Sequence, residues 1–323
     1  MTTPTMQAAV LTGAQRLRCM SLALPEPGPH DVRIRLEGCG VCASNLPVWE
    51  GRPWFAYPLA PGAPGHEGWG RIDALGQDVR SLALGQRVAV LSFHAYATYD
   101  VAPADTVVPL PASLEGVPFP GEALGCAMNV FRRSALHPGQ TVAIIGIGFL
   151  GALLTALATQ AGARVIAISR RTFALEVARQ YGAATTIRLD APQHVVAQVH
   201  ALTGGVGCER VIEAVGQQEP LDLAGELTCV GGRLIIAGYH QDGLRQVNMQ
   251  LWNWRGLEVI NAHERDSAVI VEGVRMAVDA VTRGMLNPMP LYTHKATLEQ
   301  LPTVFAAMQH RPDGFLKAWI TYA

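Results

Sequence analysis

The feature that most limits what this chain can fold into is a turn built on three glycines, Gly146-Ile147-Gly148-Phe149-Leu150-Gly151. Thr141 to Gly146 before it is a continuous apolar run of strand length. Phe149 to Ala161 within and after it reads as a helix, and Arg164 to Ile168 as a second strand. The spacing G-x-G-x-x-G has a mechanical meaning at such a junction. The first glycine permits a tight turn, the second lets backbone approach a pyrophosphate, and the third lets the helix pack close to the strand. The opening helix then offers unpaired N–H groups and a partial positive charge to phosphate. The motif alone is weak, but its strand–turn–helix–strand context makes it a dinucleotide cradle. Gly146, Gly148, Phe149, Leu150 and Gly151 are therefore the expected cofactor-binding residues.

The alternation continues. Thr172 to Tyr181 reads as a helix, and strands follow at Arg210 to Val215 and Arg233 to Ala237, with a last one at Gly256 to Asn261. Strands alternating with helices imply right-handed crossovers and a parallel sheet, so this stretch is expected to be a doubly wound Rossmann domain. The final sixty residues predict helices near Ser267 to Arg283 and Leu298 to Met308, then a strand around Phe315 to Ile320.

The end of the second Rossmann strand bears on which dinucleotide binds. An NAD site places Asp or Glu there, about 20 residues past the glycines, for the ribose hydroxyls. This chain has Ser169-Arg170-Arg171 instead. A hydroxyl and two guanidinium groups suit a 2′-phosphate, so NADP(H) is expected over NAD(H). The alternative is a solvated charge pair at a strand end.

Bulk properties remove other classes. The chain has 323 residues, 49% hydrophobic and 16% charged, enough apolar material for two cores. Its formal net charge is −1 with no basic block, which argues against a nucleic-acid partner. No run of 18 apolar residues exists, so no membrane partner is expected. The Met1-Thr2-Thr3-Pro4 start lacks the charged and apolar regions of a secretory signal. Six cysteines at 19, 39, 42, 126, 208 and 229 are too sparse for a disulfide scaffold. A reducing cytoplasm is the economical reading.

The first third differs in character. It is rich in Gly and Pro, with short apolar runs such as Val32 to Leu36 and Arg87 to Leu91, and it reads as an irregular, mostly β domain. Three of its segments hold metal-ligand residue types: Gly40-Val41-Cys42-Ala43-Ser44-Asn45, Gly65-His66-Glu67-Gly68 and Gly121-Glu122-Ala123-Leu124-Gly125-Cys126. A catalytic zinc takes about three such protein ligands and keeps one position open.

The order of these motifs resembles a known family. G-V-C-x-S, then G-H-E-G, then G-Q-R-V, then the Rossmann glycines, is similar over nearly the whole chain to the zinc-dependent medium-chain dehydrogenases/reductases, the alcohol and polyol dehydrogenases. The resemblance implies a GroES-like β-rich catalytic domain, 1–121 with 263–323, and an inserted Rossmann domain, 122–262. It implies that Cys42 and His66 are zinc ligands. Glu122 falls about where the third ligand lies, in a context like the E-P-L motif of the sorbitol dehydrogenase branch, and Cys126 is its rival. Glu67 is implied as a supporting or alternate ligand, and Cys39 as packing. The order of preference is Cys42 and His66, then Glu67 and Glu122, then Cys126.

The implied chemistry is hydride transfer between a nicotinamide and an alcohol or carbonyl polarised by zinc, with the hydroxyl of Ser44 carrying the proton. Trp49, Trp54, Phe55 and Tyr57 either line the substrate site or form a structural cluster. Several departures from the family stand out. The lobe with four cysteines for a structural zinc is missing, so one zinc per chain is expected. Asn45 replaces the usual Asp, and Pro47 stands where many members keep a proton-relaying His. The family usually forms dimers or tetramers, and the edge strand Leu257 to Asn261 needs covering, so a homodimer or homotetramer is expected. Two rivals remain: a zinc-free quinone or enoyl reductase of the same fold, and a cofactor-binding protein without turnover.

Overall fold

The computed structural model describes residues 4–322. Met1-Thr2-Thr3, part of the stretch expected to lack a secretory signal, and Ala323 lie outside the described residues. The chain divides into two compact units, Met1–Gly125 with Asp266–Ala323, and Cys126–Arg265. The expected divisions at 121/122 and 262/263 lie three or four residues earlier. One consequence is that Glu122 belongs to the first unit.

In the first unit β1 (Thr5–Gly13) and β2 (Arg16–Ala23) form an antiparallel ribbon. In β3 (Asp31–Val41), Val32, Ile34 and Leu36 are buried and alternate with Arg33 and Arg35, as on a strand with one dry face. From Gly38 to Val41 every residue is buried. A short α1 (Leu46–Glu50) follows, then β4 (Glu67–Leu75), β5 (Arg87–Val90), β6 (Tyr99–Pro103) and β7 (Val107–Pro109). The boundary between the units falls inside α2 (Gly121–Ser134).

The second unit contains β8 (Thr141–Ile145), α3 (Phe149–Gln160), β9 (Arg164–Ser169), α4 (Thr172–Gln180), β10 (Thr185–Arg188) and α5 (Pro192–Leu202). It continues through β11 (Cys208–Glu213), α6 (Gln218–Leu227), β12 (Thr228–Ile236), α7 (Met249–Arg255) and β13 (Glu258–Asn261). The strands form one six-stranded sheet in the order β10-β9-β8-β11-β12-β13, parallel at every pairing. This is the doubly wound order with its reversal at β8. Val142 to Ile145 and Val165 to Ile168 are buried on both faces, which is why they read as unbroken apolar runs.

The chain then returns to the first unit with α8 (Ser267–Thr282), β14 (Tyr292–Ala296), α9 (Leu301–His310) and β15 (Lys317–Thr321). These strands complete a seven-stranded sheet, β14-β15-β3-β4-β5-β7, with β6 also paired to β3. The core beneath it gathers Leu11, Ile34, Ile72, Val88 and Tyr96 with Phe305 of α9.

Two strands depart from what the sequence shows. β11 stops at Glu213, two residues before the apolar run does. The Glu213 carboxylate accepts the N–H groups of Val215 (2.6 Å) and Gly216 (2.8 Å), which turns the chain out of the sheet. β10 passes unnoticed in the sequence because it is an edge strand with only Ile187 buried. Among the described residues no helix is long and apolar enough to cross a membrane.

Candidate metal centre and nucleotide cradle

Three neighbouring strands of the seven-stranded sheet bring one set of polar side chains together. β3 runs antiparallel to β4 with Gly40 opposite Glu67, and antiparallel to β15 with Val41 opposite Ala318. Cys42 therefore leaves β3, Glu67 opens β4 and Lys317 opens β15 at one end of the same sheet. The ligand atoms of Cys42, His66 and Glu67 lie within 4.8 Å of one another. His66 Nε2 is 3.9 Å from Glu122 Oε2, which stands in the first turn of α2. Ser44 lies two residues beyond Cys42, in a 3₁₀ turn spanning Ala43–Asn45.

His66 is aimed by a hydrogen-bond chain of uncharged partners. Its Nδ1 lies 2.9 Å from the Pro64 carbonyl and donates to it, which turns Nε2 toward Glu122. The same carbonyl accepts from Asn45 Nδ2 at 3.3 Å. The Tyr96 hydroxyl donates to Asn45 Oδ1 at 2.6 Å. Asn45 and Tyr96 are 2% and 0% exposed. The substitution of Asn for the usual Asp thus removes a carboxylate but leaves a carbonyl as the orienting acceptor for the imidazole.

The electrostatics are those of a crowded anionic pocket. Burial pulls the His66 pKa down, but the hydrogen bond and charge of Cys42, then Glu122 and Glu67, outweigh it and raise it to about 10. Burial raises the pKa of Glu122, partly countered by His66. Glu67 is fully buried, and Lys317, 5% exposed, approaches its two oxygens at 2.6 Å and 2.5 Å. Burial pulls the Lys317 pKa down, yet the charges of Glu67 and Cys42 outweigh it and hold the lysine above its ordinary value. Gly40 makes the room: a Cβ there would stand 1.8 Å from Glu67 Oε2.

Sequence reasoning missed Lys317, Pro64 and Tyr96. Lys317 sat inside an expected terminal strand, where a lysine reads as a solvated residue. Cys39 packs in the core with its thiol raised far above the usual range by burial. Neither Glu122 nor Cys126, one helical turn further along α2, is part of the group formed by Cys42, His66 and Glu67. Of the four aromatic residues, Trp49 is 5% exposed and packs on Phe305 with ring centroids 4.9 Å apart, and the Tyr57 hydroxyl donates to the Val48 carbonyl. Trp54 stays exposed.

In the second unit the glycine turn follows β8 at the point where the strand order reverses. Gly146 has φ +96°, and a Cβ there would meet Val215 Cγ2 at 2.5 Å. A Cβ on Gly151 would lie 2.0 Å from the Gly146 carbonyl oxygen. A Cβ on Gly148 would meet nothing within 4 Å, so this glycine faces open space. Gly148 also precedes the first turn of α3, which begins at Phe149 and Leu150 and has no side-chain cap. Open space above uncapped helix N–H groups is an anion cradle. At the end of β9, Ser169 is 7% exposed and its Oγ accepts the Arg171 N–H at 3.3 Å. Arg170 Nη2 pairs with Glu219 Oε1 at 2.9 Å.

Two family models match the chain. Residues 28–112 match the alcohol dehydrogenase GroES-like domain, and residues 150–279 match the zinc-binding dehydrogenase domain. The chain belongs to the alcohol- and sorbitol-dehydrogenase-like medium-chain family. Among its relatives, the L-threonine 3-dehydrogenase of Bacillus subtilis is 25% identical, over 90% of this chain and 91% of that protein. Mouse sorbitol dehydrogenase is 26% identical, over 92% and 90%. The fold is shared with solved structures. The 2R,3R-butanediol dehydrogenase of Bacillus subtilis superposes with a TM-score of 0.85 at 22% identity, covering 98% of this chain and 100% of that one. A short chain alcohol dehydrogenase of Escherichia coli solved with NADH gives 0.88 at 21% identity, covering 98% and 99%.

Membership in this dehydrogenase family makes the chain an oxidoreductase with a GroES-like β domain and a Rossmann domain.

Proposed function

We propose that the chain is a zinc-dependent, NADP(H)-linked dehydrogenase of alcohols or polyols, running as a carbonyl reductase in the reverse direction. The convergence of Cys42, His66 and Glu67 within 4.8 Å carries this reading. A thiol, an imidazole with one nitrogen already committed, and a carboxylate are the donor set that zinc takes, so the residues fit the metal. Cys42 and His66 would hold it, with a carboxylate completing the set. Glu67 is within the group but already holds Lys317. Glu122 has His66 as its neighbour at 3.9 Å. Bound zinc supplies Lewis acidity to the substrate oxygen, and the nicotinamide supplies or accepts hydride.

The rest is work for the chain's own groups. The Pro64 carbonyl fixes the His66 ring. The Ser44 hydroxyl passes the substrate proton toward water, since Pro47 has no proton to relay. The α3 N-terminus and Gly148 receive the pyrophosphate. Ser169, Arg170 and Arg171 receive the 2′-phosphate. The β13 edge, unpaired on its outer side within the sheet, supports a homodimer through strand pairing across a two-fold.

Metal analysis of the purified chain, with turnover measured on a panel of alcohols, polyols and aldehydes with NADP(H) and NAD(H), tests the reading. About one zinc per chain and activity lost in Cys42→Ala and His66→Ala are expected. Full activity in either variant, or a zinc-free active protein reducing quinones or conjugated alkenes, overturns it.

A further inference from the structure

One carboxylate of the nucleotide unit meets the arginine pair from another element. Glu219 stands in the first turn of α6, which follows β11. β9 and β11 flank β8 in the sheet, so the segments after both border the crevice at the strand reversal. The Arg170–Glu219 contact at 2.9 Å therefore joins the two banks of that crevice. The ribose of the adenosine half belongs at the end of β9. β9 offers no acid there, yet a carboxylate arrives from the opposite bank.

We infer that Glu219 is a specificity-determining residue for the cofactor: it competes with a ribose 2′-phosphate for Arg170 and so moderates the preference for NADP(H) over NAD(H). The inference rests on the NADP(H) reading above. A 2′-phosphate carries close to two negative charges. To be gripped by Arg170 it must take the guanidinium from Glu219 and then sit beside that carboxylate. An NAD(H) ribose makes no such demand. Its 2′-hydroxyl can donate to the carboxylate while the ion pair stays intact. The side chains are 60% and 48% exposed, so water screens their attraction and the exchange is permitted. Of the two guanidinium groups, that of Arg170 is the one Glu219 meets, at 2.9 Å.

Equilibrium titration of the full chain with NADPH and with NADH tests this. Glu219→Gln should tighten NADPH binding by about two- to fivefold, the range of one half-exposed charge contact, and leave NADH binding unchanged or weaker. Arg170→Ala should weaken NADPH binding by about tenfold or more, as loss of a charge-assisted hydrogen bond does. In that background Glu219→Gln should give no gain. Asp222→Asn removes a charge from the same helix without touching Arg170 and should give no gain either. The inference is overturned if Arg170→Ala loses NADPH while Glu219→Gln leaves it unchanged or weaker, or if Asp222→Asn matches the gain. A separate outcome, Arg170→Ala without effect and NADH bound tighter than NADPH, overturns the NADP(H) reading itself and the inference with it.

Discussion

Replacing Lys317 by Met tests the arrangement beneath the candidate metal centre. The methionine keeps most of the side-chain volume and removes the charge, so Glu67 is left 0% exposed with no cationic partner at 2.6 Å. Removing one member of a buried ion pair costs about 3–5 kcal/mol, because the other charge stays desolvated. A unit of this size loses roughly 2–4 °C of melting temperature per kcal/mol, so calorimetry should show a fall of about 6–20 °C. The double variant Lys317→Met/Glu67→Gln removes both charges and should recover much of the loss, with a coupling energy of about 2 kcal/mol or more. The pH dependence has a definite sign. A lysine held above its ordinary value of 10.5 contributes stability that is complete below 10.5 and is lost as pH rises through the folded value. The gap between wild type and Lys317→Met should therefore be constant from neutrality to pH 10 and narrow only beyond it. A single-variant loss under about 1 kcal/mol, or no recovery in the double variant, refutes the buried pair as an organising contact.

Other outcomes follow from geometry already described. Gly148→Ala should leave the melting temperature nearly unchanged yet weaken NADPH binding strongly, whereas Gly151→Ala should lose stability as well, since its Cβ meets the Gly146 carbonyl at 2.0 Å. Tyr96→Phe frees the Asn45 amide and should weaken zinc affinity, by about tenfold on the scale of outer-shell substitutions, read by competition with a chromophoric chelator. Asp100 is 4% exposed and burial raises its pKa above the ordinary 3.8, so the cost of ionising it in the fold sets in as pH rises past 3.8 and is complete above the folded value. Asp100→Asn should accordingly stabilise more at pH 7 than at pH 4, and an equal effect at both would refute that account. Light scattering on an eluting size-exclusion peak should give at least a dimer, and a monomer would remove the role given to β13.

The Rossmann half was largely readable in the sequence because its central strands are buried on both faces and its glycines do steric work. Val142 to Ile145 can be seen as a strand without knowing its neighbours. β10 could not be, since an edge strand with one buried side chain carries little apolar signal. In the other half, Cys42, His66, Glu67 and Glu122 were visible as residue types in an order that resembled a family. What aims them was not visible. The Pro64 carbonyl is a backbone group with no sequence signature, and Lys317 lies 250 residues from Glu67, joined to it only by strand pairing. Glu219 was hidden for the same reason: its partner Arg170 is 49 residues away, on another strand's loop.

Gly40, Glu67 and Lys317 sit on adjacent strands: Glu67 needs the space at 40 and the charge at 317, and Lys317 needs the charge at 67. A side chain at position 40 would strike the Glu67 carboxylate at 1.8 Å. A neutral residue at 317 would strand that carboxylate, and a neutral one at 67 would strand the lysine. Single-step drift at any of the three is penalised at once, so descent should preserve or exchange them as a set. Even a shorter residue at 67 would leave position 40 closed, since a Cβ there also meets Pro120 Cβ at 2.9 Å.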